Sequence, residues 1–283
     1  MTRRLGPVVS VVLEQELVDV MKEFEVPKFM ATKDVEGEPN VVPVLSWTVY
    51  DSNTLVYGDF MTYKTRKNVN NGNKQISILV FTTNLDSWLI KANFESYHRN
   101  DQIYEFIAQT PLFRYNQYTN ARGAGVAEAL WASQKYGISK LNVLSSFLKA
   151  KLAKSKVPVY ESNEGNMPPN VLKRMSQMAA VKVISYIAPD GYPVAFPEFG
   201  MIPVSSNRIV VKRGEERRRG FTITDGTRVA ISLVTLEPAA FQLKGVFREI
   251  NHSTGYIELD RVYTCSLPRP GERVDIPMIT PEL

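Results

Sequence analysis

Two stretches of the chain repeat the same pattern: DVEGEPNVVPVLSWTVYDSNTLVY at 34–57 and APDGYPVAFPEFGMIPVSSNRIVV at 188–211 align without a gap. The identical positions are Gly37/Gly191, Pro39/Pro193, Pro43/Pro197, Ser52/Ser206 and Asn53/Asn207. Glycine, proline and asparagine punctuate turns, so the shared residues mark turns in the same places. The repeat predicts one folding unit used twice.

The match continues further along the chain. QISILVFT at 75–82 corresponds to RVAISLVT at 228–235, and WLIKANF at 88–94 corresponds to FQLKGVF at 241–247, after a one-residue deletion. Because turn and strand segments recur in the same order, we predict two copies of a β domain, here called the first and second copy.

Within the first copy, apolar residues alternate with polar ones and turn signals follow about every ten residues, which is typical of a barrel or sandwich. The predicted strands are 28–34, 40–50, 54–59, 75–82 and 88–95, with one short helix inside 62–73. We therefore expect a mainly β protein made of two Greek-key β-barrels related by internal duplication.

Helical spacing replaces strand spacing at the N-terminus and between the copies. Ser10 is expected to cap a helix that ends before Pro27, and the segment 125–136 is Ala-rich. Three further helices are predicted. The first contains Ile103, Phe106 and Ile107, and the last begins at Pro168-Pro169. The second is capped by Ser139 and has four leucines on one face: Leu141, Leu144, Leu148 and Leu152. The predicted domains are 1–97, a helical segment 98–177, and 178–283.

Composition excludes several classes of protein. The 283 residues are 44% apolar and 22% charged, which is ordinary for a globular protein. A single cysteine cannot close an intramolecular disulfide, so we expect a cytoplasmic protein. Two histidines, His98 and His252, are too few for a His/Cys metal site, and we expect no metal. No apolar run approaches about 20 residues, so we expect no membrane partner.

The net charge of +5 is spread along the chain apart from two stretches. The run KRGEERRR at 212–219 is expected to form a solvated hairpin turn, although a phosphate grip stays possible there. Lys149, Lys151, Lys154 and Lys156 lie toward a helix C-terminus, where cations suit the helix dipole. We therefore favour solvated surfaces over a nucleic-acid patch.

The first copy resembles a known superfamily in the order of its motifs: FMAT at 29–32, GEPNVVPV at 37–44, TLVYGDF at 54–60, KTRKNV at 64–69 and QISILVF at 75–81. It is similar to the FMN-binding split-barrel proteins, which include pyridoxamine 5′-phosphate oxidase and some flavin reductases. The resemblance implies Greek-key barrels that pair, with FMN in the groove between two barrels. Two fused copies would form that pair within one chain, as an intramolecular pseudo-dimer.

The resemblance also implies which residues meet the cofactor. The phosphate maps to Lys64, Thr65 and Asn68, in a helix that opens near Tyr63. Residues expected near the ring or the ribityl chain are Pro43, Val44, Leu45, Tyr57, Gly58 and Asp59. A dianionic phosphate requires a cation, a hydroxyl and free N–H groups, which a helix start with Lys-Thr provides. No catalytic residue is identified, because a flavin itself carries hydride chemistry.

The second copy departs from this pattern. Arg218, Arg219 and Thr222 stand opposite Lys64, Thr65 and Asn68, whereas Arg213 and Gly214 replace Asp59 and Phe60. Arginine also binds phosphate, so a second site stays open. We expect one good FMN site in each chain.

Two further interpretations compete with these. GAGVAE at 123–128 imitates a dinucleotide fingerprint, but it lacks the third glycine and follows a polar segment, so a helix entry is favoured. The leading functional hypothesis is an FMN-dependent oxidoreductase acting on a small molecule, with further homo-oligomerisation possible. The alternative is a non-enzymatic duplicated-barrel module that binds a ligand or nucleic acid.

Overall fold

The computed structural model describes residues 11–60, 62–115, 122–160, 164–235, 239–266 and 270–275. In these residues the α-helices are α1 Gln15–Lys22, α2 Tyr63–Asn70, α3 Gln102–Ala108, α4 Pro111–Tyr115, α5 Lys140–Ala153, α6 Pro169–Met175 and α7 Gly214–Arg218, and a 3-10 turn spans Lys154–Lys156. The strands of the first copy are β1 Lys28–Lys33, β2 Pro39–Pro43, β3 Thr48–Val49, β4 Thr54–Gly58, β5 Gln75–Phe81, β6 Asp86–His98, β7 Ala124–Ala132 and β8 Tyr136–Gly137. Those of the second copy are β9 Val181–Ile187, β10 Pro193–Pro197, β11 Met201–Pro203, β12 Arg208–Lys212, β13 Arg228–Val234, β14 Ala240–Asn251 and β15 Thr254–Thr264.

The two sheets have the same topology. The first has the order β2-β1-β5-β6-β7-β4-β3, with β8 added beside β6, and the second has the order β10-β9-β13-β14-β15-β12-β11. Apart from β8, each strand of one copy has a counterpart at the same place in the other, and the neighbouring strands pair antiparallel. The predicted mainly β fold with two repeated split-barrel domains is therefore confirmed.

The turn that opens each copy shows how the repeated residues act. Gly37 and Gly191 have φ values of 80° and 84°, in the left-handed region where a side chain is strained. Their N–H groups donate to the carbonyl oxygens of Asp34 at 3.1 Å and Ala188 at 2.9 Å. The conserved spacing of the repeat thus places the same glycine turn between β1 and β2 and between β9 and β10.

The prediction of a helix over 125–136 is wrong, because most of this segment forms strand β7. It lies between β4 and β6, with Val126 opposite Val56 and Ala127 opposite Phe94. Small residues favour helix locally, but here they allow close packing: a Cβ on Gly125 would lie 2.2 Å from the Tyr57 ring. Sheet pairing overrides alanine's helix propensity. The division at residues 97 and 177 stays a prediction, although the first sheet includes β7.

Other local predictions were also corrected. Helix α1 begins at Gln15 with Glu14 at its N-cap, so Ser10, which lies outside the described residues, does not cap it. The predicted strand 40–50 is interrupted between β2 and β3. The run 212–219 is not a solvated turn, because it contains helix α7 with Glu215 and Glu216 buried.

The helices predicted near Ile103, after Ser139 and at Pro169 are confirmed as α3, α5 and α6. The Ser139 side chain accepts from the N–H of Asn142 at 3.2 Å, as an N-cap does.

One apolar core is shared by the two copies. Phe29, Leu79 and Leu89 of the first copy lie in the same buried cluster as Ile184 and Leu243 of the second. The residues that alternate with them face the first copy's own core; these are Met30, Ile78, Val80, Trp88 and Ile90. Strands β1, β5 and β6 are therefore buried on both faces, which explains why β5 is an unbroken apolar run apart from Ser77.

An ion cluster joins the copies beside this core. Glu38, in the first glycine turn, accepts from Lys244 at 2.6 Å and Arg228 at 2.5 Å and also pairs with Arg261. Burial alone would raise the pKa of Glu38, but Lys244 and the two arginines lower it to about 2. The carboxylate thus ties the first copy to three basic side chains of the second.

We predict that Glu38→Gln destabilises the protein above pH 4.5. A carboxyl whose pKa falls from 4.5 to about 2 on folding contributes about 3 kcal/mol, at about 1.36 kcal/mol per unit. This contribution is present above the unfolded pKa and lost as the pH falls through 2. Chemical denaturation from pH 7 to pH 2 should show the difference from wild type shrinking below pH 4.5.

The matched control is Glu36→Gln, which removes an exposed carboxylate from the same turn. Equal losses from both variants, or a Glu38→Gln effect that does not depend on pH, would contradict the role assigned to the ion cluster.

Candidate functional site

A cavity of about 320 Å³ lies where the two copies meet. Its first-copy lining is Asn40, Val42, Pro43, Val44, Leu45, Ser46, Gly58, Phe60, Thr62, Tyr63, Lys64, Thr65 and Leu112, and its second-copy lining is Gln242, Tyr263, Cys265, Pro270 and Gly271. Both copies therefore contribute to a single site.

The first copy supplies three segments that converge on the cavity. The chain leaving β2 contributes Pro43 to Ser46, the end of β4 contributes Gly58, and the start of α2 contributes Tyr63 to Thr65. The Ser46 hydroxyl links the first two segments, because it donates to the Gly58 carbonyl at 3.1 Å and accepts from the Gly58 N–H at 3.1 Å. The first-turn N–H groups of a helix lack partners within the helix, so α2 presents donors here.

A buried polar network forms one wall and crosses between the copies. The amide of Asn40 donates to the hydroxyls of Thr32 and Thr65, at 3.2 Å each, and Asn68 donates to Thr32 at 2.9 Å. Gln242, from the second copy, donates to the Asn40 side-chain oxygen at 3.0 Å. These bonds fix the Thr65 hydroxyl at the cavity and hold α2 against both copies.

Positive charge gathers at the α2 end of the cavity. The Lys64 ammonium lies 4.8 Å from the centre of the Tyr263 ring, and its charge also acts on the neighbouring Lys244. Burial and, to a smaller extent, the charge of Lys64 lower the pKa of Lys244 to about 7, against the opposing effect of Glu38. Among the described residues, no carboxylate forms a salt bridge with Lys64. The site therefore favours an anion beside these two lysines.

Cys265 lines the same cavity but is not poised to react. Burial raises the pKa of its thiol to about 12, against a small opposing effect of Lys64. A thiol in this environment stays protonated at neutral pH, so its role here is that of a small apolar wall residue.

Seven of the ten residues predicted for the site line the cavity. These are Pro43, Val44, Leu45, Gly58, Tyr63, Lys64 and Thr65. The other three, Tyr57, Asp59 and Asn68, are buried behind the wall. Their assignment as cofactor contacts stays a prediction.

Tyr57 and Asp59 have partners of their own behind the wall. The hydroxyls of Tyr57 and Tyr97 lie 3.0 Å apart, and Asp59 pairs with Arg66 and, at 3.1 Å, with Arg122. Successive residues of a strand face opposite sides of the sheet. Because Gly58 faces the cavity, the neighbouring Tyr57 side chain points away from it. Asp59 instead holds α2 and the chain entering β7 in place.

Sequence reasoning missed the contribution of the second copy to the site. Gln242 and Tyr263 lie on β14 and β15, far from the first-copy motifs in sequence. The available signal was a polar residue in a buried strand: Gln242 occupies the place that Leu89 has in the first copy. Asn40 gave the same kind of signal, since it is fully buried on β2.

An insertion in the first copy covers one side of the cavity. Helices α3 and α4 connect β6 to β7, whereas a two-residue turn connects β14 to β15. Leu112 of α4 lines the cavity, and the ring of Phe113 stacks on Phe60 with centroids 4.4 Å apart. The approach is close, because a Cβ on Gly58 would lie 1.9 Å from Phe113.

The second copy has a different residue at the start of the corresponding groove. Val44 N–H donates to the Lys28 carbonyl at 2.8 Å, and Glu198 N–H donates to the Lys182 carbonyl at 2.9 Å. Glu198 therefore occupies the place of Val44, and it is buried. Burial raises the pKa of its carboxyl to about 8, so the carboxyl is largely neutral at pH 7.

Other second-copy side chains at this edge of the junction contact the first copy. The Arg219 guanidinium lies 4.7 Å from the centre of the Tyr136 ring and donates to the Ser87 hydroxyl at 2.8 Å. Phe199 packs with Ile138 in a small buried cluster. Arg219 thus binds the first copy of its own chain, whereas Thr65 faces a cavity.

This arrangement defines a duplicated split-barrel protein with a ligand cavity between its copies. Solved structures similar to this chain include an FMN-binding protein from Syntrophomonas wolfei, with 12% identity over 44% of this chain and 90% of that one and a TM-score of 0.39. A protein from Lactobacillus delbrueckii named as a candidate pyridoxamine 5′-phosphate oxidase has 22% identity over 44% and 94% of the two chains and a TM-score of 0.36. HutZ, the haem storage protein of Vibrio cholerae, has 14% identity over 45% and 95% and a TM-score of 0.34. No protein-family model and no curated protein matches the chain.

We predict that Gly58→Ala destabilises the protein through Phe113. The added methyl collides with the ring, and overpacking of this kind costs about 1 to 3 kcal/mol. In a Phe113→Ala background the same substitution should cost much less, since the ring is gone. Urea denaturation of the four proteins of this double-mutant cycle measures the difference.

Gly214→Ala is the matched control, because nothing lies within 4 Å of the methyl it adds. The same cost for Gly58→Ala with and without the Phe113 ring would show that α4 does not sit against β4.

Proposed function

We propose that this protein binds FMN in the cavity between its copies and is an oxidoreductase of the pyridoxamine 5′-phosphate oxidase-like type, acting on a small molecule. The observation that carries the proposal is Lys64 on the lining of an otherwise largely apolar cavity, with the buried Lys244 close by. Such a site matches a ligand with an anionic end and a flat apolar body.

The charge balance supports a phosphate dianion. Four basic side chains, Lys64, Lys244, Arg228 and Arg261, are connected in one cluster with two carboxylates, Glu38 and Asp260. A phosphate beside Lys64 would balance the remaining positive charge and favour the protonated form of both lysines. FMN carries such a group at its terminus, whereas riboflavin does not.

The residues of the cavity fit the rest of the ligand as well. We assign the phosphate to Lys64, Thr65 and the N–H groups at the start of α2. The ring system is assigned to the apolar walls, which are Val42, Val44, Leu45, Leu112 and Tyr263. Gln242, fixed by its bond to Asn40, supplies an amide on the second-copy side.

In the reaction, the protein itself would position the ligand, exclude water from the cavity and supply positive charge through Lys64. Bound FMN would supply the hydride or electron transfer. Apolar walls from both copies exclude water, which strengthens the interaction of Lys64 with an anion. Leu112, at the edge of the α3–α4 insertion, would limit the size of a substrate beside the ring. We place the reaction in the cytoplasm, where a single unpaired cysteine is usual.

We predict that Lys64→Ala weakens FMN binding by about 1.5 to 3 kcal/mol, the range for a hydrogen bond to a charged group. Fluorescence titration of the apo-protein measures the affinity. Wild type should prefer FMN to riboflavin by at least this amount, and the preference should shrink in the variant, because the phosphate then keeps only Thr65 and the α2 N–H groups as partners.

Two variants serve as controls. Lys67→Ala removes an exposed lysine from the same helix, and Arg218→Ala removes a cation of the second copy; both should leave FMN affinity unchanged. Equal affinity of wild type for riboflavin and FMN would contradict the phosphate assignment. A protein that binds no flavin, but binds nucleic acid in a salt-dependent manner, would select the alternative function.

We further predict one FMN per chain. Two identical barrels in a homodimer would form two equal grooves, but fusion lets each groove diverge. Here Arg219 and Phe199 contact the first copy at the groove that corresponds to the Lys64 cavity. Titration against an independently measured chain concentration gives the ratio. Two sites per chain would mean that the second groove opens, and half a site would mean that the groove forms between chains.

A further inference from the structure

Helix α5 has two apolar faces, and only one of them is packed. Its inner face, Phe147, Ala150 and Ala153, is buried against Ile202 and Val210 of the second copy. Its outer face consists of Leu141, Leu144, Leu148 and Leu152, which are 77%, 43%, 49% and 79% exposed. Residues spaced three and four apart lie on one side of a helix. These leucines therefore form a continuous apolar row, here called the leucine row, that faces away from the protein.

Lysines border the leucine row on both sides. At about 100° per residue, Lys140 and Lys151 fall on one side of the row and Lys149 on the other. All three are exposed, as are Lys154 and Lys156 in the turn that follows. Between residues 129 and 160 the chain contains no aspartate or glutamate. The outer surface of α5 is thus apolar along its centre and purely basic at its edges.

The basic edge continues onto the neighbouring strand. Burial lowers the pKa of Lys212 on β12, and the nearby charges of Lys156, Lys149 and Arg217 lower it further. Lys212 donates to the hydroxyls of Ser253 and Thr254. The buried Glu198 opposes this lowering. The surface around α5 is therefore positive over more than the helix itself.

We infer that α5 is an interfacial membrane helix, and that its leucine row inserts into the surface of a bilayer containing anionic phospholipid. An interfacial helix combines an apolar face with lysines at its edges, whose ammonium groups reach the headgroups while their stems lie along the apolar surface. Fourteen residues at about 1.5 Å each give a helix about 21 Å long that can lie flat in the headgroup region. Each lysine near the surface of such a membrane adds to binding.

A second copy of the chain fits this surface less well, because two surfaces with only lysines at their edges repel each other. A protein partner is also less favoured, since lysine is depleted at protein interfaces and leucine is under-represented among the residues that dominate their affinity. No helix in the described part of the chain is long and apolar enough to cross a membrane. Interfacial binding requires no such helix, so our inference differs from the sequence-based expectation of no membrane partner, and the test below decides between them.

The test is co-flotation of the full-length protein with vesicles. Wild type should float with vesicles of phosphatidylserine and phosphatidylcholine, should bind pure phosphatidylcholine vesicles at least about tenfold more weakly, and should be released from the anionic vesicles as salt is raised. The variant with Leu141→Gln, Leu148→Gln and Leu152→Gln should lose at least about tenfold in binding to the anionic vesicles. Its thermal unfolding should be unchanged, because these side chains point into solvent.

The matched control replaces three exposed apolar residues elsewhere, Val12→Gln, Val35→Gln and Met178→Gln, and should float like wild type. A second variant, Lys149→Gln with Lys151→Gln, keeps the leucine row and should bind the anionic vesicles more weakly than wild type.

Several results would overturn the inference. These are the absence of flotation, equal binding to neutral and anionic vesicles, or unchanged flotation of the leucine variant. Concentration-dependent self-association without lipid, lost in the leucine variant, would assign the row to a dimer interface instead. Because α5 is remote from the Lys64 cavity in its contacts, FMN titration of the same variants separates this inference from the proposed function.

Discussion

The structure depends on the apolar core that the two copies share. Strands β1, β5 and β6 send alternate side chains into the first copy's own core and into the common one. Burial of a side chain such as Phe29 or Leu79 stabilises the fold by about 1.5 to 3 kcal/mol. A first copy without the second would expose that entire face to water. The position of every residue at the junction, including those of the cavity, follows from this packing.

A shared core also explains how the two edges of the junction can differ. The packed strands hold the copies in a fixed arrangement, so residues at the two edges of the junction are free to differ. At one edge Gln242, Asn40 and Thr65 form a polar wall beside a cavity. At the other, the Arg219 guanidinium of the second copy donates to the Ser87 hydroxyl of the first. A homodimer could not differ in this way, because each substitution would appear at both edges.

Basic side chains gather in two different surroundings, one enclosed and one open. Near the cavity, basic side chains of the second copy surround Glu38 of the first and leave Lys64 without a carboxylate in a salt bridge among the described residues. Around α5, lysines gather at the edges of an apolar row with no acidic residue nearby in sequence. The first arrangement is enclosed and suits a small anion. The second is open and suits an extended anionic surface.

The sequence by itself determined the repeat, the class of fold and the part of the site that lies within one continuous segment. Turn glycines, prolines and period-two strands are local features, so 34–57 and 188–211 predicted two equal β units, and the order of the first copy's motifs implied a site at Lys64-Thr65. Tertiary structure decided the rest. Alanine-rich β7 became a strand because β4 and β6 flank it. The side chains of Tyr57 and Asp59 point away from the cavity because successive side chains alternate between the two faces of a strand. Gln242 and Tyr263 entered the site through packing between copies. Periodicity identified the leucine row on α5, but only the burial of Phe147 and Ala150 on the opposite face showed that the row points into solvent. A pattern within a segment is set by local chemistry, whereas the direction a face takes depends on contacts with distant parts of the chain.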